Sequence, residues 1–469
     1  MRAPRELSRK PRRVAPRAGR IAELRRELAA RGIRQAKVGG FDVDGVFRGK
    51  YLSLDKLWGA LEGGFGFCDV VFGWDLGDEL YDNSEVTGWH TGYPDALARV
   101  DLDSLRVIPW EPDTAAFIVD FEGPDGAPLA VSPRQVLQRV EARAREMKLR
   151  VKCGAEFEFF FFRETPRSLR EKGFRNLATL SPGMFGYSWT RTSESAPLVH
   201  ALLDGLRDFG IPIEGFHTET GPGVFEAAIG YDDLLAAADK AALFKTAVKE
   251  IAARHGLVAC FMAKWNADLP GCSGHLHQSI WDLQGTTNRF AGGGGPHGLS
   301  PELADYVAGQ LTRMPELTAL HWPTVNSYKR SVPNTWAPMT ASWGIENRTC
   351  ALRVIRPGPK ATRVEVRLSG ADMNPYLAMA ASVAAGLHGL EARPKLPPPV
   401  SGNAYEGSPG ELLPRNLGEA VARLRGSKVA REWLGEAFVE HYARTREWEW
   451  RKFERAVTDW ELERYFESV

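Results

Sequence analysis

The stretch VKCGAEFEFFFF, Val151–Phe162, decides the fold. Read as a strand, it sets Glu156 and Glu158 on one face and Phe157 and Phe159 on the other, because successive side chains alternate across the pleat. Two more stretches share this pattern. In SGHLHQSIW, Ser273–Trp281, residues His275, His277 and Ser279 fall on one face. In RVEVRLS, Arg363–Ser369, residues Arg363, Glu365 and Arg367 do, with Val364 and Val366 behind them. Any one of these alone reads as a half-buried strand facing water. As a set they read otherwise, since Glu pairs between Phe, His-x-His and Arg-x-Glu-x-Arg are poor β formers on a plain surface. Two more carboxylates, Glu219 and Glu226, flank the Gly-Pro-Gly of HTETGPGVFEAAI, His217–Ile229.

If these strands form one sheet, its polar face gathers Glu156, Glu158, Glu219, Glu226 and Glu365 with one or two imidazoles. So many anions cannot sit together unpaired. Oxygen-rich ligation with a single His per site favours Mg²⁺ or Mn²⁺ over Zn²⁺. Arg330, Arg348, Arg353, Arg363 and Arg367 suit a phosphate and a carboxylate. Cations with Arg clamps around a phosphoryl group are the apparatus of ATP-dependent phosphoryl transfer.

The rest of the chain sets bounds on this reading. Its 469 residues allow two or three domains, or one large catalytic domain with a smaller partner. The charge is nearly balanced, 60 Lys+Arg against 59 Asp+Glu, which argues against a general nucleic-acid binder. No apolar run is long enough for a membrane span. The five cysteines, Cys68, Cys153, Cys260, Cys272 and Cys350, are dispersed and form no CxxC, so a reducing cytoplasm is expected rather than a disulfide framework. Residues 1–18 are rich in Arg and Pro and read as a disordered basic tail without a secretory signal.

A helix is expected over Ile21–Gly32, then two strands joined by a turn at Asp44-Gly45, a strand at Ala115–Phe121 and a turn at Gly123–Gly126. Residues 19–131 therefore read as a small β-rich domain, and 132–469 as a larger one that opens with a helix from Pro133. Further helices are expected from about Asp233 to His255, capped by Asp232 and stopped by Gly256, and after Asn374-Pro375. The glycine-rich Ala291–Gly298 lacks the Gly-Lys-Ser/Thr sequel of a P-loop and reads as a flexible loop.

From about Lys37 to the C-terminus the chain resembles the glutamine synthetase family. Six ordered motifs carry the likeness: GAEFEFF at Gly154–Phe160, ETGPGVFE at Glu219–Glu226, SGHLHQS at Ser273–Ser279, NSYKRSVP at Asn326–Pro333, NRTCALRV at Asn347–Val354 and KATRVEVRLSGADMNPYLAMAA at Lys360–Ala381. The resemblance implies an α+β fold, with an N-terminal β-grasp-like domain and a C-terminal catalytic domain whose antiparallel strands form a funnel flanked by helices. It implies active sites between adjacent subunits of a homo-oligomeric ring, commonly a dodecamer. By position, Glu158, Glu219 and Glu226 match ligands of a first metal, and Glu156, His275 and Glu365 those of a second. His277, Ser279, Glu214, Phe225 and Lys360 match nucleotide contacts. Arg330 and Arg367 match residues that hold the glutamate carboxylates and the acyl phosphate, and Arg348 and Arg353 those facing the transferring phosphoryl group. Gly271 lies in the loop expected to meet the amino-acid head of glutamate.

The implied chemistry is ATP-dependent phosphorylation of the γ-carboxylate of glutamate, followed by displacement of phosphate by ammonia or an amine. The sequence departs from the family on the amine side. The flap reads RSVPNTWAP, with Trp336 where the family carries a Glu. Pro270 replaces an Asn, and Val224 replaces a Gln. Asp69 in GFGFCDVVFGWD is the candidate for the ammonium-binding Asp, with Asp75 as a second possibility. These changes resemble the branch that joins glutamate to polyamines, ethanolamine or small alkylamines. Two other readings compete. A catalytically silent scaffold should have drifted at its metal ligands, yet every matching position holds Glu or His. A metal-dependent hydrolase would show more His ligands and leaves the arginines unexplained.

Overall fold

The computed structural model describes residues 17–407 and 410–469. Two sheets organise the chain. The smaller has six strands, in the order Phe47–Ser53, Gln35–Phe41, Thr114–Glu122, Asp95–Val100 and Phe65–Cys68, with Arg106–Val107 also on Thr114–Glu122. Its inner face packs with helices Arg17–Ala30 and Leu54–Gly63 around Leu24, Leu28, Val38, Leu57, Phe72 and Phe117. The Asp44-Gly45 turn forms as expected, with Gly45 at φ 77°, where a side chain would be strained. The first helix begins at Arg17 rather than Ile21; Ile21, Leu24 and Leu28 form its buried stripe, and Arg17 anchors the extra turn by donating to the Leu61 carbonyl at 3.1 Å. The expected basic tail otherwise lies outside the described residues.

The larger sheet has nine strands and bears the quoted motifs. Its order is Trp343–Ile345, Leu352–Ile355, Arg363–Val366, Gly274–Asp282, Leu149–Phe162, Val224–Ile229 and Ile213–Thr218, with Asp232–Asp233 and Val258–Cys260 also on the long Leu149–Phe162 strand. The pairing is antiparallel save for Trp343–Ile345 against Leu352–Ile355, which run parallel. The reverse face of the long strand is the core: Phe157 stacks on Phe244 at 5.8 Å and Phe159 on Phe261 at 5.0 Å. Behind it lie helices Leu234–Arg254, Pro301–His321 and Pro375–Ala392. The last of these is apolar nearly all round and is buried nearly all round. Asn374 caps it by accepting from the Tyr376 N–H. The helix expected after Asp232 starts one residue later than read, with Asp233 at its cap, because Asp232–Asp233 first pairs with Lys152 and Cys153. Residues Ala291–Gly298 form a loop that ends in a short 3-10 turn.

Glycine sets how closely Pro301–His321 meets Pro375–Ala392. A Cβ on Gly309 would lie 2.4 Å from both the Ala385 carbonyl and the Gly389 Cα, and a Cβ on Gly389 would lie 2.2 Å from the Asp305 carbonyl. Both obstacles are backbone, so the helices must part. Gly309→Ala is expected to lower the unfolding free energy by about 1–3 kcal/mol, even though alanine is the better helix former. Denaturant titration against the parent checks this, and an unchanged midpoint would refute it.

Candidate active site

Strand register brings the motif residues together. His275 stands opposite Glu156, and His277 opposite Glu365. Glu226 stands opposite Glu158, and Arg353 opposite Glu365. Directly opposed residues point to the same side of a sheet. The expected polar face is therefore continuous across five strands.

Two groups of ligand atoms form on it, each lying within 4.8 Å: Glu156, His277 and Glu365, and His217, Glu219 and Glu226. His275 adjoins the first group, with Nδ1 2.7 Å from a Glu156 oxygen and 3.6 Å from Glu365. Glu158 adjoins the second and accepts the Ser273 N–H at 2.6 Å. His217 went unnoticed in the sequence. Its Nε2 lies 3.1 Å from Glu226, and the exposed Tyr187 ring stacks on it at 4.2 Å. Its signal was present, since His217 and Glu219 are two residues apart at the end of a strand.

The electrostatics suit hard divalent cations. Burial pushes the carboxyls of Glu158 and Glu226 above the usual carboxylate range, and neighbouring carboxylates add to it, Glu219 at Glu158 and Glu156 and Glu158 at Glu226. Burial acts on Glu156 and Glu365 too. There His277 and His275 outweigh it at Glu156, and Arg367 with the same two imidazoles at Glu365, so both are held below the usual range. The buried His275 Nε2 has no hydrogen-bond partner among the described residues. Carboxylate oxygens with one imidazole nitrogen, and that nitrogen unsatisfied, form a donor set that fits Mg²⁺ or Mn²⁺.

The arginines converge on the same face. Glu365, 1% exposed, is gripped from both sides, by Arg353 Nη1 at 3.0 Å and by Arg367. Arg330 is buried and donates to the carbonyls of Leu368 and Arg367. Gly271 lies against it, where a Cβ would come 2.5 Å from the Ala263 carbonyl and 2.9 Å from the Arg330 Cγ. The close backbone approach of Ala263, with Arg330 behind it, explains the glycine.

Two cavities flank the sheet face. One of about 450 Å³ is lined by Glu214, His277, Ser279 and Lys360, together with Lys152, Tyr231 and Trp281. Four of the five expected nucleotide contacts thus share a cavity. Phe225 does not join them. Its side chain is 1% exposed and stacks on Phe216 at 5.3 Å, because it alternates with Glu226 and must face the core. Contact between nucleotide and Phe225 would fall to its main chain. Lys152 and Trp281 were legible as well, since they extend the same alternation, two steps before Glu156 and one step after Ser279; the Lys152 ammonium sits 4.2 Å over the Trp281 ring.

The second cavity, about 610 Å³, is lined by Trp336, Ile345, Glu346, Asn347, Arg348 and Thr349, with Pro399–Gly402 opposite. Trp336 is 63% exposed at the tip of a clasped loop. Ser331 Oγ donates to the Pro338 carbonyl, Thr335 Oγ1 to Val332, and the Tyr405 hydroxyl to Ala337. Asn334 and Trp336 adopt φ of 62° and 61°, unusual for non-glycine residues. Asp69 is not brought to this face. It accepts from Thr87 Oγ1 at 2.6 Å in the N-terminal region, where burial first and Asp95 second raise its carboxyl.

Comparison with known proteins follows this geometry. The family profile for the glutamine synthetase catalytic domain matches residues 130–465. Type-1 glutamine synthetase 2 of Dictyostelium discoideum is 48% identical, over 92% of this chain and 84% of that protein. The glutamate–isopropylamine ligase of a Pseudomonas species is 38% identical, over 96% of this chain and 98% of that one. The γ-glutamylethanolamide synthetase of Streptomyces coelicolor is 37% identical, over 96% of each. Among solved structures, a GmaS–ADP complex superposes with a TM-score of 0.82 at 31% identity, covering 95% of this chain and 99% of that one.

Proposed function

This chain belongs to the glutamine synthetase family of ATP-dependent carbon–nitrogen ligases, and we propose that it phosphorylates the γ-carboxylate of L-glutamate and joins the product to a small amine. The observation that carries the amine is Trp336. It presents an indole, with no proton-accepting group, to the cavity that also holds Arg348. An indole offers apolar surface that an alkyl group can bury against and bare ammonium cannot use. Two relatives named for amine substrates, isopropylamine and ethanolamine, support the same branch.

Members of the family use ATP and divalent metals. Here Glu158, Glu219 and Glu226 would hold one cation, and Glu156, His275 and Glu365 another. Such cations, Mg²⁺ or Mn²⁺, supply Lewis-acid neutralisation of phosphate oxygens when bound. The chain's own residues do the rest. Glu214, His277, Ser279 and Lys360 line the cavity for the nucleotide. Arg330 and Arg367 would orient the carboxylates of glutamate. The γ-carboxylate oxygen attacks the γ-phosphorus of ATP and ADP leaves. Arg348 and Arg353 would offset the charge spread over the transferring oxygens. An amine then displaces phosphate from the γ-acyl carbon. No helix among the described residues is long and apolar enough to cross a membrane, and a cytoplasmic homo-oligomeric ring, dodecameric as is common in the family, fits this reading. Asp69 would reach a site only across a boundary between subunits.

Phosphate release from ATP, with glutamate and a panel of amines against ammonium, tests the reading. One amine class should clearly exceed ammonium. Trp336→Ala should lower kcat/KM for that amine by roughly 10–100-fold, the range for removing an apolar contact of this size, and leave the ammonium reaction nearly unchanged. Release with ammonium matching every amine would instead favour glutamine synthesis. The 48% identity to a protein named glutamine synthetase supports that second reading.

A further inference from the structure

Ligation of an amine needs a proton acceptor, since the free amine and not its ammonium form is the nucleophile. Trp336 cannot accept a proton, and within its own chain Asp69 is bonded to Thr87 away from this sheet face. One carboxylate does line the cavity with Trp336 and Arg348: Glu346. We propose that Glu346 accepts the proton of the incoming ammonium group, doing so from the strand edge rather than from the flap. This rests on the ligase reading above.

Its position supports the assignment. Glu346 follows directly on the Trp343–Ile345 strand and has φ 52°, in the left-handed region that a non-glycine residue rarely adopts. Its Oε2 accepts from Arg353 Nε at 3.1 Å and Nη2 at 2.5 Å. The other end of the same guanidinium, Nη1, holds Glu365 at 3.0 Å. Glu346 is therefore one arginine away from the carboxylate of the proposed metal group, on the cavity side. The side chain is half exposed, so a proton taken up can leave to solvent.

The step balances. The ammonium R–NH₃⁺ gives one proton to the Glu346 carboxylate, which becomes a neutral acid. The nitrogen lone pair forms the C–N bond at the γ-acyl carbon of the acyl phosphate. The C–O bond to phosphate breaks, and the second nitrogen proton leaves with the phosphate as HPO₄²⁻. Glu346 then returns its proton to water.

The test uses two nucleophiles on the full-length protein with ATP, glutamate and Mg²⁺. Hydroxylamine is unprotonated at neutral pH and needs no acceptor, whereas an alkylamine is almost wholly ammonium. Glu346→Gln should lower amide formation from the alkylamine by about 10²–10⁴-fold, the usual range for a lost general base. It should lower γ-glutamyl hydroxamate formation far less. Glu346→Asp, which keeps the carboxylate, should recover part of the alkylamine rate. An equal fall with both nucleophiles would show that Glu346 acts only by holding Arg353, and would overturn the proposal. So would an alkylamine rate unchanged in Glu346→Gln. A parent protein that makes no hydroxamate from glutamate and ATP would overturn the ligase reading itself, a separate result.

Discussion

Glu365→Gln is expected to cripple ATP-dependent phosphate release, lowering kcat by about 10²–10³-fold. Glu365 is the point where the charges of the sheet meet. Arg353 and Arg367 hold its two oxygens, and His275 lies 3.6 Å away. The glutamine is nearly isosteric but neutral. It removes a ligand of the proposed second metal, and it leaves Arg353 and Arg367 without their shared counter-ion. Breaking a buried ion pair from one side costs about 3–5 kcal/mol, so a fall in stability should accompany the loss of activity. Phosphate release and denaturant unfolding measured on one preparation separate the two effects. Activity above a tenth of the parent, in a folded variant, would remove Glu365 from the site.

Phe159→Ala should lower stability alone, unfolding the protein more readily without touching the chemistry directly. Phe159 is fully buried and packs on Phe261, Phe161, Phe216 and Phe244. Truncation removes that contact area and leaves a cavity that a nine-stranded sheet cannot collapse to fill. The expected loss is about 3–5 kcal/mol. Phe185, half exposed on a loop, is the control, and Phe185→Ala should change stability by about 0.5 kcal/mol or less. Equal effects from the two would mean that the alternation along Leu149–Phe162 does not divide core from site.

That alternation explains why so much was readable beforehand. A strand repeats every two residues, so Glu156 and Glu158 had to face away from Phe157 and Phe159 whatever surrounded them. The same rule covers His275 with His277 and Glu365 with Arg367, while the helix cap at Asn374 was legible separately, from an Asn followed by Pro at the first helical position. It also explains why the Phe225 side chain lies in the core while its neighbour Glu226 takes the polar face. His217, Lys152 and Trp281 obey the same rule, at positions just outside the six matched motifs.

The sequence by itself determined which residues share a face, the order of the motifs and the family they compose. Only the tertiary structure decided which faces meet. Register sets Glu156 against His275, Glu158 against Glu226 and Arg353 against Glu365. The parallel pairing of Trp343–Ile345 with Leu352–Ile355 carries Glu346 to the Arg353 guanidinium and into the Trp336 cavity. The physical reason is that side-chain direction along a strand follows from local backbone geometry. Partners between strands far apart in the chain are chosen instead by packing of the apolar reverse face, summed over the whole sheet.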